Sequence, residues 1–417
     1  MGETEDGRIL QRVFGAALGQ AMPAGRFAGR LPERPRGRTL VLGAGKAAAS
    51  MAAAFEAEWD GPCEGLVVTR YGHGVPTRRI EVVEASHPVP DAAGEAAARR
   101  ILDLARGAGA DDLVVVLISG GASSLLALPA PGVTLADKQA VNRALLLSGA
   151  PIGEMNTVRK ALSAIKGGRL AAAAAPARLV TYAISDVPGD DPGTIGSGPT
   201  VRDARGAPEA LAILARRGIG VDAPLRRAVE ANAASAPQDD AGVFHMLATP
   251  MMALEAGAEA ARALGLEPVI WGDAIEGEAR AVGAEHARRA LAAPPGRPTL
   301  FISGGETTVT VGPEARGGRG GRNSEYLLSL AVALDGRPGV SAIACDTDGI
   351  DGSESNAGAW FDPSLTARAR AAGIDLAAHL DAHDAFTPFE RLDRLVVTGP
   401  TFTNVNDFRA ILVRGGW

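Results

Sequence analysis

Cysteines are scarce in this sequence, and long apolar segments are missing. Only two cysteines, Cys63 and Cys345, occur in 417 residues, which excludes a disulfide framework or a cysteine-rich zinc cluster and fits a reducing cytoplasm. No uncharged apolar stretch reaches about 18 residues, the length that would cross a membrane. The start MGETEDGRIL also lacks the basic and apolar regions of a signal peptide. We therefore expect a cytoplasmic protein that binds no membrane.

An excess of positive charge is missing as well. Charged residues make up 22% of the chain, the net charge is −6 at pH 7, and the isoelectric point is near 5.7. These values argue against a general nucleic-acid binder. The function must therefore be sought in local sites that bind small molecules. We expect the protein to be a monomer or a homodimer.

Short apolar runs alternate with alanine-rich segments that carry charges at helical spacing, which is typical of an α/β fold with parallel strands. The length exceeds what one hydrophobic core usually serves, so we expect two domains. The polar stretch ANAASAPQDDAG predicts the boundary, which gives domains of residues 1–240 and 241–417. The predicted strands cover 39–42, 65–69, 80–84, 113–118, 180–184, 243–248, 268–271, 299–302, 341–344 and 395–397.

Two similar glycine turns follow predicted strands, SGGASS in the first half and SGGETT in the second. Such turns leave several backbone N–H groups free to converge on an anion. For each turn alone, a purely structural role is equally consistent, but the repetition favours a shared anionic ligand. The candidate residues are Ser119, Gly120, Gly121 and Ser123 in the first turn, and Ser303, Gly304, Gly305 and Glu306 in the second.

A third glycine turn, GAGKAA, resembles a dinucleotide-binding turn through Gly43 and Gly45, yet it carries Lys46. It is no Walker A loop, because the first required glycine is replaced by leucine and the lysine is followed by alanine. An NAD site should offer an acid about 20 residues further on, whereas the next strand ends in Thr69 and Arg70. The arginine leaves NADP possible, so a reductase such as a hydroxypyruvate reductase stays open as an alternative.

Several basic residues are candidates for binding phosphate or carboxylate. Lys46 precedes a predicted helix, so its ammonium and the nearby backbone N–H groups can hold one anion. Arg322 lies in the loop GGRGGRNSE, where its planar fork suits bidentate contact, and Asn323 or Ser324 is expected to cap the next helix. Arg159 and Lys166, seven residues apart, share one face of a predicted helix, although such faces are often simply solvated.

Two aspartate-rich loops, SDVPGDDPGTIGSGPT and DTDGIDGSESNAG, supply candidate ligands for a hard cation. The alternative is that these aspartates are solvated turn residues, because Asp-Gly is a common turn pair. A further loop, TGPTFTNVND, suits the recognition of hydroxyl or phosphate groups through Thr401 and Asn404. The candidate metal ligands are Asp186, Asp190, Asp191, Asp348 and Asp351, with Asp346 beside them.

These motifs together resemble the type II glycerate kinases, whose second half is called the MOFRL domain. The resemblance covers nearly the whole chain, and only Gly196 and residues 353–356 depart from the usual pattern. It is carried by GAGKAA, SGGASSLL, HPVPD, NTVRKALSAIKGGRLA, SDVPGDDPGTIGSGPT, SGGETTVTV, GGRNSE, TDGIDG and TGPTFTNVND.

The resemblance implies ATP-dependent phosphorylation of D-glycerate at its 2-hydroxyl, with Mg²⁺. The reaction would take place in a cleft between an N-terminal Rossmann-like domain and a smaller C-terminal α/β MOFRL domain. Phosphoryl transfer depends on positioning and positive charge, which assigns the catalytic role to Lys46 and Arg322. The glycine-turn residues, Arg159, Lys166, Asn323, Thr401 and Asn404 would bind substrate or phosphate, and the aspartates would bind the metal. A non-catalytic sugar-phosphate sensor is a further alternative, but it leaves the two aspartate loops unexplained.

Overall fold

A computed structural model describes residues 4–203, 205–234, 242–292, 296–312 and 318–415. The chain divides into two compact units. The N-terminal unit is Pro23–Leu247, and the C-terminal unit combines Met1–Met22 with Ala248–Trp417. The predicted boundary at residue 240 lies outside the described residues.

The secondary structure alternates between strands and helices along most of the chain, as the sequence predicts, and all ten predicted strands are present. The strands are β1 (Thr39–Ala44), β2 (Glu64–Arg70), β3 (Ile80–Ala85), β4 (Leu113–Ser119), β5 (Arg178–Ile184), β6 (Val243–Ala248), β7 (Glu267–Gly272), β8 (Gly277–Glu278), β9 (Thr299–Ser303), β10 (Thr307–Thr308), β11 (Val340–Asp346), β12 (Gly358–Phe361), β13 (Leu395–Val396) and β14 (Asp407–Val413). The helices are α1 (Glu5–Ala21), α2 (Ala48–Glu58), α3 (Ala92–Arg106), α4 (Ala122–Leu125), α5 (Leu135–Leu147), α6 (Ile152–Ala161), α7 (Arg169–Ala174), α8 (Ala207–Arg216), α9 (Ala223–Ala234), α10 (Pro250–Ala263), α11 (Ala279–Leu291), α12 (Arg322–Leu334), α13 (Leu365–Ala371), α14 (Leu376–Asp381) and α15 (Phe386–Arg391).

The N-terminal unit is built on a six-stranded sheet in the order β3-β2-β1-β4-β5-β6. The pairs β2–β3, β1–β2, β1–β4 and β4–β5 are parallel. Every residue of the central strand β4 is buried, because helices cover both faces of such a sheet. The strand order reverses between β1 and β4, and ligands of open α/β sheets bind at this switch point, beyond the carboxyl ends of the strands.

A second apolar cluster of the N-terminal unit lies among helices rather than on the sheet. It joins α5, α6, α8 and α9 through buried side chains such as Leu145, Val158 and Ile213. The segment that precedes this cluster follows directly on the SGGASS turn. The helical cluster therefore supplies a wall beside the carboxyl end of β4.

The C-terminal unit contains a six-stranded sheet in the order β13-β12-β11-β14-β9-β7. This sheet is mixed rather than parallel: only β7–β9 is a parallel pair, and the four other pairs are antiparallel. The sequence interpretation missed β12 and the fully buried β14. Polar and charged residues in β14, Asp407 and Arg409, interrupt the apolar run that marks a buried strand.

Helix α1 belongs to the C-terminal unit, although the predicted domain of residues 1–240 contains it. Its buried face, which includes Val13 and Phe14, packs against α10, β11 and β14. The Phe14 ring lies 5.8 Å from the ring of Phe408. Within the described ranges, no helix has both the length and the apolar character needed to span a membrane.

Candidate active site

The glycine turn after β1 is held against the turn after β4. A Cβ atom at Gly43 would overlap the carbonyl of Leu117, and one at Gly45 would overlap the Ser119 hydroxyl. Gly45 also has a φ of +138°, a conformation that other residues rarely adopt. Both glycines are therefore required by close approach to the neighbouring strand.

The backbone N–H groups of this turn are already engaged by protein oxygens. Gly45 donates to the Val68 carbonyl at 3.0 Å, and Lys46 donates to the Gly120 carbonyl at 2.8 Å. The amide of Ala47 donates to the Ser119 hydroxyl at 3.0 Å. The expectation that these amides share an anion with the Lys46 ammonium therefore does not agree with the structure. Any contact of this turn with a ligand depends on the Lys46 side chain.

The Lys46 side chain is half-buried at the switch point of the sheet. A Cβ atom at Gly121 would lie 3.4 Å from Cγ of Lys46 and 3.0 Å from Nε2 of His87. The stem of the lysine and the His87 ring therefore both lie next to Gly121 of the SGGASS turn. The structure thus brings together Lys46, His87 and this turn, which are more than 30 residues apart in the sequence.

A cavity of about 250 Å³ opens beside this turn. Its wall includes the predicted residues Arg159 and Lys166, together with Lys138 and Asn142, which the sequence interpretation missed. The predicted helix that would carry both Arg159 and Lys166 is shorter than expected, since α6 ends at Ala161. Lys166 follows in a turn and is 1% exposed, so the solvated alternative does not hold for it. The whole wall consists of His87, Pro88, Pro90, Gly121, Ser123, Ser124, Ala127, Lys138, Val141, Asn142, Leu145, Val158, Arg159, Leu162 and Lys166.

A chain of hydrogen bonds connects this cavity to the loop after β5. The hydroxyls of Ser123 and Ser197 lie 2.7 Å apart, and the Ser197 hydroxyl donates to Oδ1 of Asn156 at 3.1 Å. Lys166 donates to the carbonyls of Ser123 at 2.8 Å and of Gly196 at 3.4 Å. Gly196, which departs from the family pattern, has a φ of +59°; its backbone carbonyl is what Lys166 contacts.

The aspartates of the loop after β5 differ in exposure. Asp191 is exposed, and its carboxylate accepts hydrogen bonds from the Thr194 hydroxyl at 2.6 Å and the Gly193 amide at 3.2 Å. Asp186 and Asp190 are half-buried, and Asp190 has a φ of +53°. Mg²⁺ usually keeps several waters and takes only one or two protein carboxylates. The exposed carboxylate of Asp191 fits such a metal, whereas Oδ1 of Asp190 is buried.

In the C-terminal unit, Arg322 is surrounded by three carboxylates. Its nitrogens donate to Glu306 and Asp346, each at 2.7 Å, and to Asp407 at 2.9 Å. Burial lowers the pKa of Arg322, but attraction to Asp407, Asp346 and Glu306 outweighs burial and leaves the pKa above its ordinary value. Asp346 and Asp407 are buried, whereas the Glu306 side chain is 56% exposed. Glu306 is therefore the partner that solvent or a ligand can most easily replace.

Asp351 caps helix α12 instead of lying free for a metal. Its two carboxylate oxygens accept the backbone amides of Asn323 at 2.9 Å and Ser324 at 2.8 Å. Helix α12 begins at Arg322, so Asn323 and Ser324 lie inside it and do not cap it as expected. Burial raises the pKa of Asp351 above its ordinary value. The neighbouring Asp348 is 3% exposed and accepts the Ile350 amide at 3.0 Å.

The remaining predicted residues of the C-terminal unit build its loops. Gly305 has a φ of +98°, and a Cβ atom there would overlap the backbone of Ile275. Ser303 is buried at the end of β9, and Gly304 donates to the Gly272 carbonyl at 2.8 Å. Thr401 and Asn404 are also buried, at 8% and 3% exposure. The Asn404 side chain accepts the Asn406 amide at 3.2 Å, and Asn323 donates to Asp407 at 2.8 Å.

A second cavity, of about 490 Å³, lies within the C-terminal unit beside Glu306 and Arg322. His383 and Glu325 also line it, and Nδ1 of His383 lies 2.9 Å from a carboxylate oxygen of Glu325. Arg280 donates to the same carboxylate at 3.0 Å. The sequence spacing did not reveal this histidine–acid pair, because 58 residues separate the two side chains. Among the described residues, no group of three or more His, Cys, Asp or Glu side chains is arranged to hold a metal by itself.

Comparison with known proteins gives two family matches. Residues 9–230 match the family described as "Domain of unknown function (DUF4147)", and residues 299–407 match the MOFRL family. A relative in Agrobacterium vitis, whose name gives hydroxypyruvate reductase as a provisional activity, is 56% identical over 97% of this chain and 94% of its own. The D-glycerate 2-kinase of Thermotoga maritima is 38% identical over 90% of this chain and 91% of its own.

A crystal structure of a glycerate kinase from Thermotoga maritima has a similar fold. It superposes with a TM-score of 0.88 at 35% identity and covers 97% of this chain and 99% of that one. The similarity therefore extends over the whole arrangement of strands and helices in each unit.

Proposed function

The chain belongs to the family of glycerate kinases with a MOFRL domain, and from this premise we propose that it transfers a phosphoryl group from ATP to the 2-hydroxyl of D-glycerate. The products are 2-phosphoglycerate and ADP. The observation that carries the proposal is the collection of cationic side chains near the turn after β4: the stem of Lys46 lies next to Gly121, and Gly121 also lines the cavity of Arg159 and Lys166.

Phosphoryl transfer requires the protein to position the substrates and to supply positive charge, because negative charge spreads over the oxygens of the transferred group. Lys46 supplies a single flexible ammonium at the switch point of the sheet, and we assign to it the neutralisation of charge on the transferred group. Arg159 and Lys166 hold an anionic end of a substrate. Ser119, Gly120, Gly121 and Ser123 form the turn that lies next to Lys46, and Gly121 and Ser123 also line the cavity of these two residues.

In the C-terminal unit, we assign to Arg322 a phosphate contact that replaces its exposed partner Glu306. The buried partners, Asp346 and Asp407, keep the guanidinium in place while this exchange occurs. Asn323, Thr401 and Asn404 support the same region through hydrogen bonds with buried groups. The location of the active site in a cleft between the two domains stays a prediction.

Mg²⁺ is proposed as the metal that accompanies ATP. Asp190 and Asp191 would hold it, directly or through water, with Asp186 beside them. When bound, the metal neutralises charge on the phosphate oxygens. Asp351 and Asp348 fit this role poorly, because they are buried and accept backbone amides.

A reductase is the second candidate, because the Agrobacterium vitis relative carries that name. The strand order of the N-terminal sheet is also that of dinucleotide-binding domains. The turn after β1 argues against it, since the amides of Gly45, Lys46 and Ala47 donate to protein oxygens and are not free for a pyrophosphate. The ends of β2 offer Thr69 and Arg70 where an acid would bind the ribose of NAD.

One pair of assays on the purified protein distinguishes the kinase from the reductase. With D-glycerate, ATP and Mg²⁺, we expect equal amounts of ADP and 2-phosphoglycerate, identified by mass spectrometry and by comparison with 3-phosphoglycerate. With hydroxypyruvate and NADH or NADPH, we expect no oxidation of the nicotinamide. Nicotinamide oxidation without ADP formation in the first assay overturns the proposal, and the Lys46→Met variant shows whether any kinase activity belongs to this protein.

We also propose a cytoplasmic location and a monomeric or homodimeric state. Cys63 and Cys345 are both buried and unbonded to each other, as expected in a reducing compartment. Light scattering on the purified protein distinguishes the two oligomeric states.

A further inference from the structure

Lysine is rare in this chain, and its positions are informative. Of 42 basic residues that are Lys or Arg, only Lys46, Lys138, Lys160 and Lys166 are lysines. All four lie in the N-terminal unit, and none of them is exposed. Every exposed basic position is therefore an arginine, so the lysines are not ordinary surface charges. A lysine offers a compact charge with three rotatable donors, which suits a confined site.

Two of these lysines, Lys138 and Lys166, line the 250 Å³ cavity together with Arg159. Lys138 donates to the Leu162 carbonyl at 3.1 Å, and Nε of Arg159 donates to Asn142 at 2.9 Å. Within the part of the chain that the structure describes, none of the three forms an ion pair with a carboxylate. Lys160 differs, since it lies 2.7 Å from Asp203.

Three confined cations with no carboxylate in ion-pair contact are costly, because burial removes the hydration of each charge and the charges repel one another. Burial and the repulsion of Arg159 lower the pKa of Lys138 to about 7, against the opposing attraction of Glu95. Burial and the repulsion of Lys138 and Arg159 also lower the pKa of Lys166. An anion in the cavity relieves both effects. The ammonium groups keep donors for it, since each has three N–H bonds and Lys138 has one protein acceptor.

Part of the cavity wall is apolar. Val141 and Leu145 of α5 face the cavity together with Val158 and Leu162 of the neighbouring helical segment. A small organic acid can place its carboxylate on the cations and its carbon chain against this wall. Gly121 and Ser123 also line the cavity, and the Cβ position of Gly121 lies 3.4 Å from Cγ of Lys46.

We propose that Lys138, together with Arg159 and Lys166, binds the carboxylate of the hydroxy-acid acceptor in this cavity. The inference rests on the proposed kinase function for the identity of the acid, and it adds Lys138 as a residue that determines acceptor affinity. The alternative anion for this cavity is a phosphate group of the nucleotide.

Steady-state kinetics of Lys138→Met distinguish these two anions. A charge-assisted hydrogen bond contributes about 1.5–3 kcal/mol, so we expect the KM for D-glycerate to rise roughly 10- to 100-fold while the KM for ATP stays within about twofold. The matched control is Arg143→Met, which removes an exposed cation from the same helix α5 and should leave both constants unchanged. A rise in the KM for ATP alone assigns the cavity to the nucleotide and overturns the proposal, as does an unchanged KM for both substrates.

Carbamylation by cyanate provides a readout that does not depend on turnover. Cyanate reacts with neutral amines, and the chain has only four lysines, so mass spectrometry can follow Lys138 in its own peptide. We expect D-glycerate to protect Lys138 and an ATP analogue to leave its labelling unchanged; protection by the analogue alone contradicts the proposal. Protection by glycerate in a protein that lacks kinase activity would reject the kinase function and still support the binding site.

Discussion

The backbone amide of Lys46 donates to the carbonyl of Gly120 at 2.8 Å, which ties the turn after β1 to the turn after β4. The two glycine-rich motifs are therefore one structural feature at the switch point of the sheet. Because the backbone of this feature is occupied by internal hydrogen bonds, its chemistry depends on side chains. The role proposed for this feature in the reaction therefore falls to the Lys46 ammonium.

Replacement of Lys46 by methionine tests that role, because methionine keeps most of the aliphatic stem and removes the charge. Loss of a preorganised charge typically costs ~3–4 kcal/mol in the transition state. We expect kcat/KM for phosphorylation to fall roughly 10²- to 10³-fold, while the thermal midpoint shifts little. Arg106→Met, which removes an exposed cation in the same unit, should retain parental kinetics. Near-parental turnover of the Lys46 variant at saturating substrates would transfer the catalytic role to another cation.

The close approach of the two turns makes a prediction for stability. Gly45→Ala places a methyl group in the position of the Ser119 hydroxyl and forces a φ of +138° on alanine. We expect the free energy of unfolding in urea to fall by roughly 2–4 kcal/mol. Gly15→Ala is the matched control: Gly15 lies on the exposed side of α1 with no atom near its Cβ position, and alanine there should stabilise the helix by up to ~1 kcal/mol. A Gly45 variant as stable as the parent would contradict the packing argument.

Two buried strands show what a single sequence can and cannot predict about the fold. Strand β4, LVVVLIS, is an uninterrupted apolar run and was predicted, whereas β14, DFRAILV, was missed. Arg409 is fully buried in β14 and binds Asp407 and the Gly304 carbonyl. The sequence does not distinguish a buried charge from an exposed one: the Gly304 carbonyl lies about 100 residues from Arg409, and Asp407, two residues before it in the same strand, is itself a charged residue.

In the candidate site, too, the sequence predicted some residues and missed others. The sequence predicted that GAGKAA and SGGASS each follow a strand, and the structure brings these two turns together because parallel strands end at one edge of a sheet. Lys138 was missed because nothing in the local sequence of α5 distinguishes a cation that faces a cavity from one that faces solvent. Asp351 looked like a metal ligand in a glycine-rich turn, but its partners are amides of a helix almost 30 residues earlier.

Arg322→Lys tests the second proposed catalytic cation. Lysine keeps one positive charge but cannot donate to Glu306, Asp346 and Asp407 from three nitrogens at once. We expect kcat/KM to fall ~10²-fold or more, with a lower thermal midpoint because two buried carboxylates lose a partner. Glu306→Gln is the companion variant: it should retain the parental midpoint, and its KM for ATP should not rise. Kinetics of Arg322→Lys within a few-fold of the parent would argue against a phosphate contact.

The two aspartate loops give opposite predictions. Asp191→Asn removes charge from an exposed turn, so we expect a higher Mg²⁺ concentration for half-maximal activity and an unchanged free energy of unfolding. Asp351→Asn leaves one amide of α12 facing an NH₂ group, which should cost about 1–3 kcal/mol of stability with an unchanged Mg²⁺ requirement. Mg²⁺ titrations and urea unfolding of both variants check this. A Mg²⁺ effect confined to Asp351→Asn would reverse the assignment.

Lys138 links substrate binding to stability. Its pKa is lowered by burial to about 7 in the folded protein and is about 10.4 in an unfolded chain. Between these values the unfolded chain binds the proton and the folded protein does not, so this group makes the folded state more stable as the pH rises from about 7 to about 10. Below pH 7 both states are protonated, and the folded state carries the full cost of a buried ammonium.

Lys138→Met should therefore be more stable than the parent at pH 6–7, by roughly 1–3 kcal/mol, even though it binds D-glycerate more weakly. The gain is limited because the Leu162 carbonyl loses its donor. The difference in unfolding free energy between variant and parent should shrink as the pH rises from 7 towards 10, because the proton that the parent loses on folding becomes less costly to lose as the pH approaches the pKa of the unfolded chain. Urea unfolding of both proteins from pH 6 to pH 10 measures this difference. A variant that is less stable than the parent at every pH would mean that Lys138 supports the fold, and that its charge is compensated without a ligand.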